Sequence, residues 1–424
     1  MDLFSRFKKD YINYLVSIII PVIITAASIP LFKHMLGSAG YGNFSLTFNS
    51  VLLCTGILSG WIWPSILRYF PASLHKKSFV QKSMQLSCIT QLIFFLPVLL
   101  VVWYIGNDLL LAFFFSLTLF ITSLQFSVLA LSQSVFLSKK SIYAEIIRTG
   151  SYISCALLLL KFSAIGYMYA LFTAVIISYI SSFTYLYIQI NRQLVKKYQK
   201  ENAAEENLKE LFRRFMHYGG PLSLWFVFGS AISLVDKYFM LKRVGGEAQG
   251  NYQAMFDFLS KSITFFISPV VTSLFPLLTA AFEKGERKEI RKILLQIILF
   301  EFAGLLAAGI AYWWFGAGWL FALVHTPDTF DYKLTGLIII VATFIWQIAM
   351  MVQKKYELQL RSRHILYMLM TAFLVQILFY VFFRQSSSQL LYPLGYLLST
   401  VVYLLLISFS DIVILIKSFL HKVK

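Results

Sequence analysis

Long apolar runs, nearly free of charge and separated by short charged connections, recur from one end of this chain to the other. A helix that crosses a bilayer needs about 20 mostly apolar residues, because its backbone groups must be satisfied within the segment. Only 13% of the 424 residues are charged and 58% are hydrophobic, whereas an ordinary soluble domain carries about 25% charged residues. The pattern predicts an all-α integral membrane protein with about twelve transmembrane helices, near residues 12–33, 43–68, 84–105, 109–137, 141–160, 165–190, 216–241, 251–280, 293–315, 332–353, 364–384 and 390–416. The longest of these imply tilt or kinks. No connection is long enough to form a soluble domain.

A net charge of +18 invites a nucleic-acid reading. The distribution excludes it, because the basic residues flank apolar spans instead of gathering on one soluble face. Between the spans, 28 of the 37 Lys and Arg fall on one side and 6 on the other. By the positive-inside rule the richer side is cytoplasmic, and both ends lie there. The protein is expected in the cell (inner) membrane, in contact with membrane lipid. The basic flank MDLFSRFKKD before the first span reads as the start of an uncleaved helix. Cys54, Cys88 and Cys155 lie within apolar segments at no metal-binding spacing, so disulfides, metal and cofactor are not expected.

Residues 191–214, NRQLVKKYQKENAAEENLKELFRR, are the one long charged run. They read as a solvated linker, with the charged stretch 196–214 dividing an N-terminal six-helix bundle (1–195) from a C-terminal one (215–424). The two halves look related. LGSAGYGNFSLTF at 36–48 and VGGEAQGNYQAMF at 244–256 match at a constant offset of 208 in two glycines, an asparagine and a phenylalanine. Pro64 and Pro71 share the spacing of Pro269 and Pro276. A six-helix offset makes the repeats parallel, which suits two bundles rocking about a central cavity. The glycines suit tight turns that need positive φ. Gly56 with Gly60, and Ala303 with Ala307 and Ala311, read as small faces for close helix packing.

No phosphate-cradling loop, nucleophile elbow or zinc-protease motif is present, and the longest outer loop is only about 316–331. Catalysis is not expected. The informative residues are charges inside spans, each costly to bury and usually turned toward a cavity or a partner. Arg148 lies two turns into the fifth span, three residues from Glu145. The pair could snorkel to the interface or face the bundle interior. Asp257 and Lys261, four apart in the eighth span, can neutralise each other, and Lys261 should sit at mid-depth. Asp236 and Lys237 lie near the outer end of the seventh span, within snorkelling reach. Glu301, in the ninth, has no obvious partner. Trp61, Trp63 and Trp225 read as interfacial residues or as platforms for sugar rings.

The twelve-span plan, LGSAGYGNFSL after the first helix, RYFP at 68–71 and HYGGPLSLWFVFGSAISLVDKYFM followed by VGGEAQGNYQAMF resemble the oligosaccharide-unit (O-antigen or polysaccharide) flippases. These belong to the multidrug/oligosaccharidyl-lipid/polysaccharide exporter superfamily. In that family an acidic–basic pair often ends the seventh helix, as Asp236 and Lys237 do here. The resemblance implies alternating access and a polyprenyl-diphosphate-linked oligosaccharide as cargo, with glycosyltransferases or a polymerase as partners. Arg148, Lys261, Asp257, Asp236 and Lys237 are then the candidate substrate-binding residues. The alternatives are a small-molecule or drug antiporter of the same superfamily and a membrane glycan polymerase.

Overall fold

The computed structural model describes residues 3–73, 75–135, 137–162, 166–197, 206–283, 287–359, 361–386 and 388–423. Among these residues every regular element is helical. In chain order they are α1 (Leu3–Ser59), α2 (Ile62–Tyr69), α3 (Lys76–Gly106), α4 (Leu109–Ser134), α5 (Ser138–Phe162), α6 (Tyr167–Lys197), α7 (Leu208–Arg243), α8 (Gly246–Glu283) and α9 (Arg287–Ala311). A π-helical turn at Tyr312–Gly316 leads into α10 (Ala317–Leu323), followed by α11 (Phe330–Leu358), α12 (Ser362–Phe382) and α13 (Leu391–Val423).

The chain is an all-α integral membrane protein. Nine helices among the described residues are long and apolar enough to cross a membrane, or ten with the bent pair Ala26–Ser59 and Ile62–Tyr69, which turns by 51°. Helical segments lie over all twelve expected spans, and the smaller number is that of the described residues alone. The described part of α8 falls outside that set because Gln249, Asn251, Gln253, Asp257 and Lys261 dilute its apolar character. Exposed Leu92, Ile93, Leu96 and Val101 on α3, and Phe300, Phe302, Leu306 and Ile310 on α9, give those helices apolar outward faces suited to lipid.

The first connection is a kink and not a loop: α1 continues through Gly37, whose φ of 71° lies outside the helical region. Its counterpart 208 residues on, Gly245, has φ 114° and separates α7 from α8. Both positions require backbone angles that a side chain opposes. The connection expected at 316–331 is largely helical, leaving only 324–329 between α10 and α11. The charged run 191–214 lies partly outside the described residues, with α6 ending at Lys197 and α7 starting at Leu208.

The chain forms two compact units, residues 1–43 with 231–424, and residues 44–230. In the second, Ile62, Ile66, Phe79, Val128, Leu131 and Phe215 are fully buried. Small hydroxyl pairs tie its helices, with Thr55 3.1 Å from Thr122, Ser59 donating to Ser123 at 3.1 Å, and Ser87 2.8 Å from Ser127. Ser223 of α7 donates to the Gly56 carbonyl at 2.6 Å, so the Gly56–Gly60 face admits α7 closely. Trp61 and Trp63 pack within this unit, Trp61 edge-on to Phe212 and Trp63 against Phe126 and Phe226. Trp225 packs edge-on to Phe226.

In the first unit α11 packs against α8, α9 and α13. The expected Ala303–Ala307–Ala311 packing face on α9 is not used: all three are exposed. The opposite side carries Glu301, Gly304, Leu305 and Tyr312, and at Gly304 an added methyl would lie 3.3 Å from the ring of Phe344 on α11. That side is the one α11 covers.

Candidate functional site

Four of the five sequence-predicted site residues gather in the first unit, on α7 and α8. Asp236 and Lys237 follow each other on α7, and Asp257 and Lys261 are one turn apart on α8. Asp236 is fully buried and accepts from the backbone N–H of Lys237 at 2.7 Å and from the hydroxyl of Tyr252 on α8. Lys237 is 2% exposed. Its ammonium donates to the Ser233 carbonyl and lies 3.6 Å from the centroid of the Phe256 ring. A cation over an aromatic face is held electrostatically, which helps to offset its loss of water. The snorkelling expected of Asp236 and Lys237 is therefore corrected: α8 covers both.

Asp257 is 8% exposed and accepts from the hydroxyl of Tyr41 at 2.8 Å. The charges of Lys237 and Lys261 both act on it. Lys261, on the same face one turn further along, is exposed. Two carboxylates and two ammonium groups make a neutral set when all are ionised. Pairing and hydrogen bonding are what make buried charge tolerable.

A second polar junction adjoins this set, and sequence reasoning missed it. Lys33 of α1 is 2% exposed and donates to the Asn251 side chain at 2.6 Å, to Thr326 Oγ1 at 2.8 Å and to the His325 carbonyl at 3.0 Å. Ser38 also donates to Asn251, at 2.8 Å, and Asn251 donates to the Tyr332 hydroxyl at 3.2 Å. His325 holds a left-handed φ of 50° in the short connection between α10 and α11. Three ammonium hydrogens thus meet three oxygens from two separate parts of the chain. The available signal was a lysine four residues before Gly37, which reads as an ordinary outer-loop charge. The repeat match at Asn43 and Asn251 drew attention to the asparagine but not to its role as an acceptor.

Between the two junctions α1 and α8 nearly touch. A methyl on Gly42 would come within 2.8 Å of the Gly250 Cα, and one on Gly250 would overlap the Ser38 carbonyl. The repeat-related glycines are thus the crossing point itself.

Arg148, the fifth candidate, lies in the other unit. Its guanidinium donates to one Glu145 oxygen from Nε at 2.9 Å and from Nη2 at 2.8 Å, and sits 5.3 Å from the Tyr179 ring centroid. The i,i+3 pair read from the sequence is present, about a quarter exposed on each side chain.

A family model described as "Polysaccharide biosynthesis protein" matches residues 7–282. No curated protein matches significantly. Similar solved structures include the inward-facing conformation of a multidrug resistance MATE family transporter of the MOP superfamily, at TM-score 0.69 and 14% identity over 92% of each chain. The outward-facing conformation of such a transporter is similar at TM-score 0.67 and 14% identity over 94% of each chain. A MOP superfamily transporter from Pyrococcus furiosus, described as having a binding pocket of reverse polarity that suggests a different function, gives 0.65 and 14%, over 95% of this chain and 96% of its own. At these identities the likeness establishes the fold.

Proposed function

The chain belongs to the polysaccharide biosynthesis protein family, and from that premise we propose that it is an alternating-access flippase. Its cargo is a polyprenyl-diphosphate-linked oligosaccharide, moved from the cytoplasmic to the outer leaflet of the inner membrane. The halves 1–195 and 215–424 rock about a central cavity, with both chain ends cytoplasmic. Glycosyltransferases that build the unit and a polymerase that consumes it are its partners.

One observation carries this reading. The spans hold a balanced set of acids and bases, with Lys237 and Lys261 acting on Asp257 and Lys261 left exposed. A diphosphate supplies anionic oxygens that an ammonium meets by charge-assisted hydrogen bonds. An exporter of cationic drugs is better served by acids alone. The Pyrococcus furiosus transporter, in which reversed pocket polarity suggests a different function, supports using pocket charge to separate cargo classes on this fold.

The test is a strain lacking the protein. It should accumulate the completed lipid-linked unit on the cytoplasmic side, with synthesis of the unit intact. A unit that is never made would point to an upstream enzyme. Unchanged surface glycan with raised drug sensitivity would favour the antiporter.

A further inference from the structure

We propose that Glu301 is a proton-binding site, holding its proton in this conformation and releasing it when water reaches the covered face of α9. The proton site rests on the geometry of α9, and only the transport arm of its test rests on the flippase reading. Glu301 is 1% exposed, and neither carboxyl oxygen has a hydrogen-bond partner among the described residues. It lies nine residues past Lys292 in the span Lys292–Leu323, about 14 Å along the axis at 1.5 Å per residue. That is too deep for a short side chain to reach the interface. Its neighbours on either side, Phe300 and Phe302, are exposed at 59% and 51%, so the carboxyl occupies the one protein-covered side of α9. Four residues back, Ile297 is buried. One turn on, Gly304 brings Phe344 of α11 into contact. The pocket is therefore apolar.

The elements packed against α9 are α8, α11 and the π-helical turn. Asp257 and Lys261 belong to the cluster on α8 and Lys333 stands over Trp313. The Tyr312 hydroxyl, about three turns along the covered side from Glu301, is also buried and has no hydrogen-bond partner among the described residues. At the far end of α11, Lys354 pairs with Glu357 at 2.7 Å. A bare carboxylate in an apolar, partnerless place loses its hydration and gains nothing. The neutral acid is the form that fits. Intramembrane acids of this kind recur in proton relays. Hydration of the site lets the carboxyl give its O–H proton to water, leaving the carboxylate, and closure requires the proton to return. Release to one side of the membrane and return from the other carries one proton per cycle.

The experiment is infrared difference spectroscopy of the full chain in lipid nanodiscs at pH 7, wild type against Glu301→Gln. The substitution keeps shape and removes the proton. One protonated-carboxyl band should be missing from the variant while carboxylate absorption is unchanged. Loss of carboxylate intensity instead would overturn the proposal. If the variant does not fold, wild type carrying carboxyl-labelled glutamate must show a protonated component at pH 7, and its absence has the same force. The second arm measures cargo movement in vesicles under an imposed pH gradient. Glu301→Gln should move cargo at a rate that ignores the gradient, and a variant responding like wild type would show that the proton is not cycled. Failure of the flippase reading appears differently, as no cargo movement in wild type with the carboxyl band still present.

Discussion

Tyr41 donates its hydroxyl to Asp257 at 2.8 Å, one residue before the glycine at which α1 meets α8. The charge set and the helix crossing are thus joined through a single side chain. A hydrogen bond to an ionised group contributes about 1.5–3 kcal/mol. Tyr41→Phe removes only the hydroxyl oxygen and should lower the thermal stability of the purified protein by that order. In a double-mutant cycle with Asp257→Asn the two losses should be less than additive. Full additivity, or no change in Tyr41→Phe, would mean the bond contributes nothing.

The crossing itself makes a steric prediction. Gly250→Ala drives a methyl into the Ser38 carbonyl, and Gly42→Ala meets the Gly250 backbone. Overpacking of this kind costs about 1–3 kcal/mol or more where backbone must move. Gly106→Ala, with nothing within 4 Å of the added carbon, is the control. Equal thermal stability of the Gly250 and Gly106 variants would contradict the close approach.

Much of this fold was legible because hydrocarbon allows so few solutions. Helical segments cover all twelve expected spans, and Gly37 and Gly245 have the positive φ that tight turns demanded. The short connections misled where a kinked helix replaced a loop at Gly37, because a glycine marks either outcome. Of the candidate site, charge spacing found Asp257 with Lys261 and Glu145 with Arg148. Depth was harder to read. Asp236 and Lys237 looked close to the surface, yet Tyr252 and Phe256 of α8 cover them. A sequence gives position along a helix but not which neighbour lies over it. Lys33 was hidden for the same reason, since its acceptors lie 218, 292 and 293 residues away.

Lys33→Met should loosen the junction with Asn251 and the 324–329 segment. The probe is a thiol at position 325, where only the backbone carbonyl serves Lys33, in a variant lacking Cys54, Cys88 and Cys155. Loss of charge-assisted hydrogen bonds of about 1.5–3 kcal/mol raises opening, and so thiol labelling, by roughly tenfold or more. Lys33→Arg should also label faster, because a planar fork does not reproduce the three directions of an ammonium. Labelling at the wild-type rate in both would remove the junction's role.

Asp108 caps α4 and gives a pH prediction. Its carboxylate accepts from the Leu111 N–H at 2.9 Å and from the Tyr169 hydroxyl at 2.7 Å, and these donors hold it below the usual aspartate range. A depressed native value means the contribution is complete above about pH 4, the unfolded value, and fades as pH falls through the native one. The stability difference between wild type and Asp108→Asn should therefore be constant near neutrality and shrink below that point. A difference that instead grows on acidification would reverse the sign and exclude the capping account.

The proposed contact with cargo phosphate is tested at Lys261. Lys237 is locked between the Ser233 carbonyl and Phe256, whereas Lys261 is exposed beside the same acid. The two lysines should fail differently. Lys237→Ala leaves a buried acid short of a cation, which costs about 3–5 kcal/mol for a broken buried pair, so protein abundance in the membrane should fall. Lys261→Ala should leave abundance unchanged and lose transport. Lys261→Arg should keep much of it, since phosphate oxygens accept from either cation, and Lys261→Glu should be worse than alanine because it places a like charge before the diphosphate. The competing account makes Lys261 a structural counter-charge to Asp257. Under it, Asp257→Ala combined with Lys261→Ala should recover the transport that Lys261→Ala alone removes, because the uncompensated acid is gone. Transport and membrane abundance measured together on the single and double variants separate the two accounts, and a rescued double variant would end the assignment of Lys261 to cargo phosphate.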